Sequence, residues 1–139
     1  MSRRDSLHFS LCRTLEKDGW KITNDPLILI LEETLLRADL GAEKFFVAEK
    51  EGRKIAVEIK DFDSPSVISE LEKTMGQIQL YQWALEAQEP ERKLFLAISQ
   101  DIYVRHFQKS IFQLAITRTK INLLVYEPKQ EVIIQWITH

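Results

Sequence analysis

Apolar residues Leu7, Leu11, Cys12 and Leu15 recur at the spacing of one helix face, so 5–18 reads as a helix, with Asp5 placed to cap its start and Gly19 to end it. The stretch 20–24 follows as a short strand, Asp25-Pro26 as a turn, 27–31 as a buried strand, and 35–40 as a further extended segment that Gly41 breaks. A β-hairpin is predicted over 45–50 and 54–62, joined by Glu51-Gly52-Arg53. In its second strand Ile55, Val57 and Ile59 face one way and Ala56, Glu58 and Lys60 the other, because successive strand side chains alternate. After a turn at Asp63-Ser64, Pro65 suits the first position of a long helix whose stripe is Ile68, Leu71, Met75, Ile78 and Leu85, and which stops before Pro90. The run 93–99 reads as a central strand, short helices follow at 103–107 and 110–118, and two strands, 122–126 and 132–138, close the chain around Glu127-Pro128-Lys129.

These elements predict an α/β or α+β domain, residues 1–139, with a mixed central β-sheet flanked by helices. With 139 residues, 45% of them hydrophobic, the chain is long enough to build a core without staples. Its single cysteine, Cys12, has no partner for a disulfide, which suits a reducing, cytoplasmic setting. A formal net charge of −2 argues against a chain that coats nucleic acid or a membrane surface, so any DNA contact is local. The apolar stretch 27–31 is too short to span a bilayer and the charges at Arg3, Arg4 and Asp5 precede no apolar run of signal-peptide length, so neither membrane contact nor a targeting segment is expected.

The acid and the lysine in Ile55-Ala56-Val57-Glu58-Ile59-Lys60 interrupt an apolar run. Two positions apart on a strand, Glu58 and Lys60 can address one reacting centre, and Asp39, at the end of a neighbouring strand, can bring a second carboxylate there. Two carboxylates and a backbone carbonyl, that of Ile59, are the hard oxygen ligands that Mg²⁺ prefers, and a lysine beside them can orient an attacking water or neutralise developing charge. That set suits phosphodiester hydrolysis. The plain alternative is an ion pair on an exposed strand, contributing about 0–1 kcal/mol. Gln77 and Tyr81 lie four apart on the next helix and can offer an amide and a hydroxyl to the same place, or can simply belong to a polar helix face. Glu16, near the end of the first helix, is a further acid.

Residues 101–120 carry Arg105, Lys109, Arg118 and Lys120 against Asp101, a candidate phosphate-binding surface or an ordinary solvated helix face. Trp20, Trp83 and Trp136 read as core or interface packing residues, since none is spaced with basic neighbours as a stacking platform would be. His8 and His106 are isolated and His139 is terminal, which forms no metal triad or nucleophile–base pair.

Asp39, Glu58-x-Lys60 and Gln77-x-x-x-Tyr81 together resemble the PD-(D/E)XK nuclease superfamily with its restriction-endonuclease-like core. The blocks Leu15-Glu16-Lys17-Asp18-Gly19-Trp20, Asp39-Leu40-Gly41-Ala42-Glu43-Lys44, Ile55-Ala56-Val57-Glu58-Ile59-Lys60 and Gln88-Glu89-Pro90-Glu91-Arg92 resemble, more specifically, the XisH family of fdxN element excision controlling factors. The resemblance implies a part in cyanobacterial programmed DNA excision by a site-specific recombinase, together with DNA and a small XisI-like partner. It also implies Mg²⁺ or Mn²⁺ held by Asp39 and Glu58, Lys60 as catalytic lysine, Gln77 and Tyr81 as auxiliary pair, and Glu16 as the acid of the first helix. Ala38 stands where the superfamily has its nominal proline. Two functions are therefore expected as alternatives: a metal-dependent endonuclease, or a non-catalytic factor that keeps the fold and acts by binding a XisI-like protein, a recombinase or DNA. A homo-oligomer is compatible with both.

Overall fold

The computed structural model describes the backbone of residues 3–24, 28–31, 34–37 and 45–139, and the side chains of 6–23 and 48–139. Its first helix, α1 (Arg3–Lys17), begins before Asp5, which lies inside the helix and does not cap it. Its end is the one the sequence implies. Gly19, at φ +94°, lets the Trp20 N–H reach the Leu15 carbonyl at 2.9 Å and the Gly19 N–H reach that of Glu16 at 3.0 Å, while the Trp20 and Leu15 side chains pack in one cluster.

Strand β1 (Lys21–Asn24) follows, then β2 (Ile28–Leu31) and β3 (Thr34–Arg37), which pair antiparallel as a separate two-stranded sheet. The hairpin β4 (Phe45–Lys50) and β5 (Arg53–Ile59) turns at Glu51-Gly52, both at positive φ. The predicted extension of β5 to Phe62 does not form. The Lys60 N–H still bonds the Ala97 carbonyl, but Phe62 swings to φ +49° so that its ring can pack edge-on against Phe107 at 5.2 Å and beside Phe112 at 6.0 Å.

Helix α2 (Val67–Gln88) starts two residues later than Pro65 suggests, because Ser66 takes the cap and its Oγ accepts the Ser69 N–H. It ends ahead of Pro90 as expected. Strand β6 (Arg92–Ser99) leads into α3 (Gln100–Arg105), which begins three residues before the expected Tyr103 because the Ser99 side chain caps it. Then come α4 (Ser110–Thr119), β7 (Asn122–Glu127) and β8 (Val132–Ile137).

The main sheet is mixed and six-stranded, in the order β1-β4-β5-β6-β7-β8. Strands β5, β6 and β7 run parallel, linked by α2 and by α3–α4, and the outer pairs are antiparallel. One face packs Ala56, Leu94, Leu96, Ile98, Leu123 and Val125 against α2, α3 and α4. The other packs Ile55, Val57, Ile59, Phe95, Ala97, Leu124 and Tyr126 against α1. The protein is thus an α+β molecule with helices on both faces of a mixed sheet, and the alternation along β5 assigns Glu58 and Lys60 to the α2 face.

Candidate active site

Glu58 and Lys60 are enclosed, so the plain alternative of an ion pair on an exposed strand does not hold. Glu58 is 0% exposed and Lys60 1%, with Nζ 3.8 Å from Oε1. Burying two charges costs several kcal/mol per ion before their attraction repays any of it, so a fold with an apolar alternative would ordinarily take it. Directly after the pair, Asp61 is also buried, and its Oδ1 accepts the Asp63 N–H at 3.1 Å, which turns the chain toward α2. Asp61 was not among the residues singled out from sequence, although an acid immediately after Glu-x-Lys was the available sign. Lys60 and Asp61 border a cleft of about 420 Å³ with Ser99, Asp101, Glu127 and Lys129. It lies at the carboxyl ends of the three parallel strands, where open sheets of this kind characteristically bind ligands.

Tyr81 is buried on the sheet-facing side of α2, with Thr74 one helical face below it and Gln77 between them. Gln77 Oε1 and Thr74 Oγ1 are both shut off from solvent and have no hydrogen-bond partner among the described residues. Buried oxygens in that state are costly, and a water held by a bound ion would supply the donor they lack. The alternative of a polar, solvent-facing helix side carrying Thr74 with Gln77 does not hold, since Thr74 is fully buried.

Asp39 lies outside the described residues. The register pairs Phe45, at the start of β4, with Glu58. Among the described residues no three His, Cys, Asp or Glu side chains converge as a metal site. Glu16 is not brought to the pair. It is exposed near the end of α1, on the opposite face of the sheet from Glu58 and Lys60, where its backbone carbonyl closes the helix.

The basic residues gather around α3 and α4. Arg105 is held by Asp101 at 2.7 Å, while Lys109 reaches His106 Nδ1 at 3.1 Å, and Arg118 and Lys120 are exposed at the end of α4. Burial, then the charges of Lys109 and Arg105, hold the His106 pKa below its ordinary 6.5. Of the tryptophans expected in the core or at an interface, Trp83 is 56% exposed on the outward face of α2 and so is not a core residue as Trp20 is. His8 is buried, with its Nε2 3.8 Å from Cys12 Sγ one helical turn away, and so is not isolated.

A mixed six-stranded sheet, helices on both sides and a carboxylate–ammonium pair sealed beside a polar cleft define a small α+β class that invests charge in its interior. Residues 1–134 match the XisH protein family, and the chain belongs to it. It is similar to the crystal structure of a XisH family protein from Nostoc punctiforme PCC 73102, at 40% identity over 96% of this chain and 100% of that one, with a TM-score of 0.88. It is similar also to a fdxN element excision controlling factor protein from Anabaena variabilis, at 39% identity over 97% of this chain and 100% of that one, with a TM-score of 0.89. Comparison with curated proteins finds no match.

Proposed function

We propose that this protein is an excision controlling factor that acts on DNA in the cytoplasm through a divalent-metal-dependent, PD-(D/E)XK-type phosphodiester-hydrolysing site. The observation that carries this reading is the enclosed Glu58–Lys60 pair, 3.8 Å apart, at the ligand-binding end of the parallel strands. Glu58, the Ile59 carbonyl and Asp39 would hold Mg²⁺ or Mn²⁺, for which carboxylate and carbonyl oxygens are the fitting donors. A divalent ion supplies charge to a phosphate oxygen and makes water a better nucleophile near neutral pH. Lys60, already within reach of Glu58, orients the nucleophile and offsets charge on the phosphate, and Gln77 and Tyr81 contribute an amide oxygen and a hydroxyl from α2. Arg105, Lys109, Arg118 and Lys120 would hold DNA phosphates, with an affinity that falls as salt rises.

Incubation with linear, nicked and branched DNA in Mg²⁺ or Mn²⁺, with and without a XisI-like protein, tests this. Cleavage should fall by about two orders of magnitude or more in Glu58→Gln and in Lys60→Ala, the scale expected on losing a group that stabilises transition-state charge. Equal cleavage by the native chain and both variants would sink the reading. A second reading, a regulator that binds a XisI-like protein or a recombinase, is favoured by Val132 and Ile134, apolar and exposed on the edge strand β8. Partner capture that survives Glu58→Gln, in a protein with no cleavage under any condition, would decide for it.

A further inference from the structure

At the other end of β5 from Glu58 lies a pocket of about 440 Å³ that the proposed hydrolytic site does not use. Four separate parts of the chain build it: the end of α1, the start of β5, the start of β6 and the end of β8. Its apolar wall is aromatic. Trp136 stands 5.6 Å from Trp20 and 5.0 Å from Phe95, centroid to centroid, and it remains half-buried while Trp20 and Phe95 are enclosed, so its ring is the one still open to a visitor. Trp20 is 5% exposed, and its Nε1–H, shut off from solvent, has no acceptor among the described residues.

The charges around the rim are not balanced. Asp18 is engaged by Lys50 at 3.3 Å and Glu91 by Lys54 at 3.8 Å, which neutralises both acids of the pocket. Arg53 and Lys93 have no ion pair among the described residues. Arg53 instead lies over the Trp20 ring, 5.4 Å from its centroid, where the ring fixes the guanidinium at the mouth. The volume is within the range of small-molecule sites, about 300–1,000 Å³. A flat ring to lie along Trp136 and a negative group for Arg53 and Lys93 together describe a base joined to a phosphate.

We infer that this pocket binds a nucleoside phosphate, with the base along Trp136 and the phosphate between Arg53 and Lys93. The ligand can be a free mononucleotide or the terminal nucleotide of a single strand, which present the same chemistry. Either source places a nucleotide-reading site at the amino end of β5 and β6, separate from the cleft at their carboxyl ends.

The test is tryptophan fluorescence of a Trp83→Phe protein, which removes the exposed indole, titrated in EDTA with dAMP, with a 5′-phosphorylated single-stranded oligonucleotide and with inorganic phosphate. EDTA silences any metal-dependent hydrolysis, so the outcome is separate from that of the cleavage experiment. Saturable quenching by dAMP or by the oligonucleotide, weakened about tenfold or more by Trp136→Leu, is expected, in keeping with the contribution of one stacked base. Tighter binding of the oligonucleotide than of dAMP assigns the ligand to a strand end, and the reverse order assigns it to a free nucleotide. The exposed substitutions Arg53→Ala and Lys93→Ala, which leave the aromatic wall in place, should each weaken binding and flatten its salt dependence. The inference is overturned by the absence of saturable binding by either nucleotide, by inorganic phosphate binding equally well, or by indifference to Arg53→Ala and Lys93→Ala.

Discussion

Glu58 and Lys60 occupy positions where an aliphatic pair would fit the alternation of β5 at lower cost. Lys60 and Glu58 offset each other's charge in the interior, so removing either one takes away an ionic partner that the other has there. Glu58→Ala and Lys60→Ala should each lower unfolding free energy by about 3–5 kcal/mol, read from denaturant titration, whereas the double change Glu58→Leu with Lys60→Met should be close to neutral or stabilising. A double variant as unstable as the single ones would show that the pair is held by more than its own members. Because the single variants, Glu58→Gln included, can lose activity by unfolding, the folded fraction of each is to be read beside its cleavage. At the same scale, Asp61 and Thr74 show what sequence conceals: their burial follows from a turn after β5 and from the docking of α2, neither of which a single residue type announces.

Elements were more legible than their meeting points. The alternation of Ile55, Val57 and Ile59 with Ala56, Glu58 and Lys60 placed the acid and the lysine together on one face, because it rests on local periodicity, whereas for Tyr81 the sequence left open a polar helix face, and its burial decides for the side that meets the sheet. Glu16 could not be assigned in that way, since which side of the sheet α1 covers is decided by long-range packing. The aromatic pocket was equally hidden, for Trp20, Arg53, Lys93 and Trp136 gain basic and aromatic neighbours only when four elements converge. Between elements, Glu131 in the turn after β7 is clasped by Lys17 at 3.0 Å and by Arg13, fastening α1 to the β7–β8 turn. Hydrogen bonds from Lys17 and Arg13 hold its carboxyl below the ordinary 4.5. A lowered carboxylate pKa adds stability above the unfolded value and loses it as pH falls through the folded one. Thermal stability should therefore decline on acidification below about pH 4.5, and Glu131→Gln should flatten that part of the profile. An unchanged acid limb in that variant would rule the clasp out as its source.

On the scale of the whole molecule, the sheet is divided by its connections. Strand β4 meets β5 through a tight turn, but β5 pairs with β6 only after α2 has crossed over, in a register that joins Lys54 to Arg92 and Glu58 to Leu96. No local hairpin can complete that join, and non-local parallel pairing is slow to form. For as long as α2 and β6 are missing from the growing structure, β5 is a naked edge with Ile55, Val57 and Ile59 beside it. Inward-pointing charges are among the devices that keep such edges from recruiting strands of other molecules. The carboxylate and ammonium that burden the finished interior thus act as gatekeepers during assembly. Rapid dilution from denaturant at rising protein concentration should then yield more aggregate from the Glu58→Leu, Lys60→Met chain than from the native one, even with the folded variant as stable as the native protein or more so. Equal yields at every concentration would remove assembly as a reason for keeping charge at the centre of the sheet.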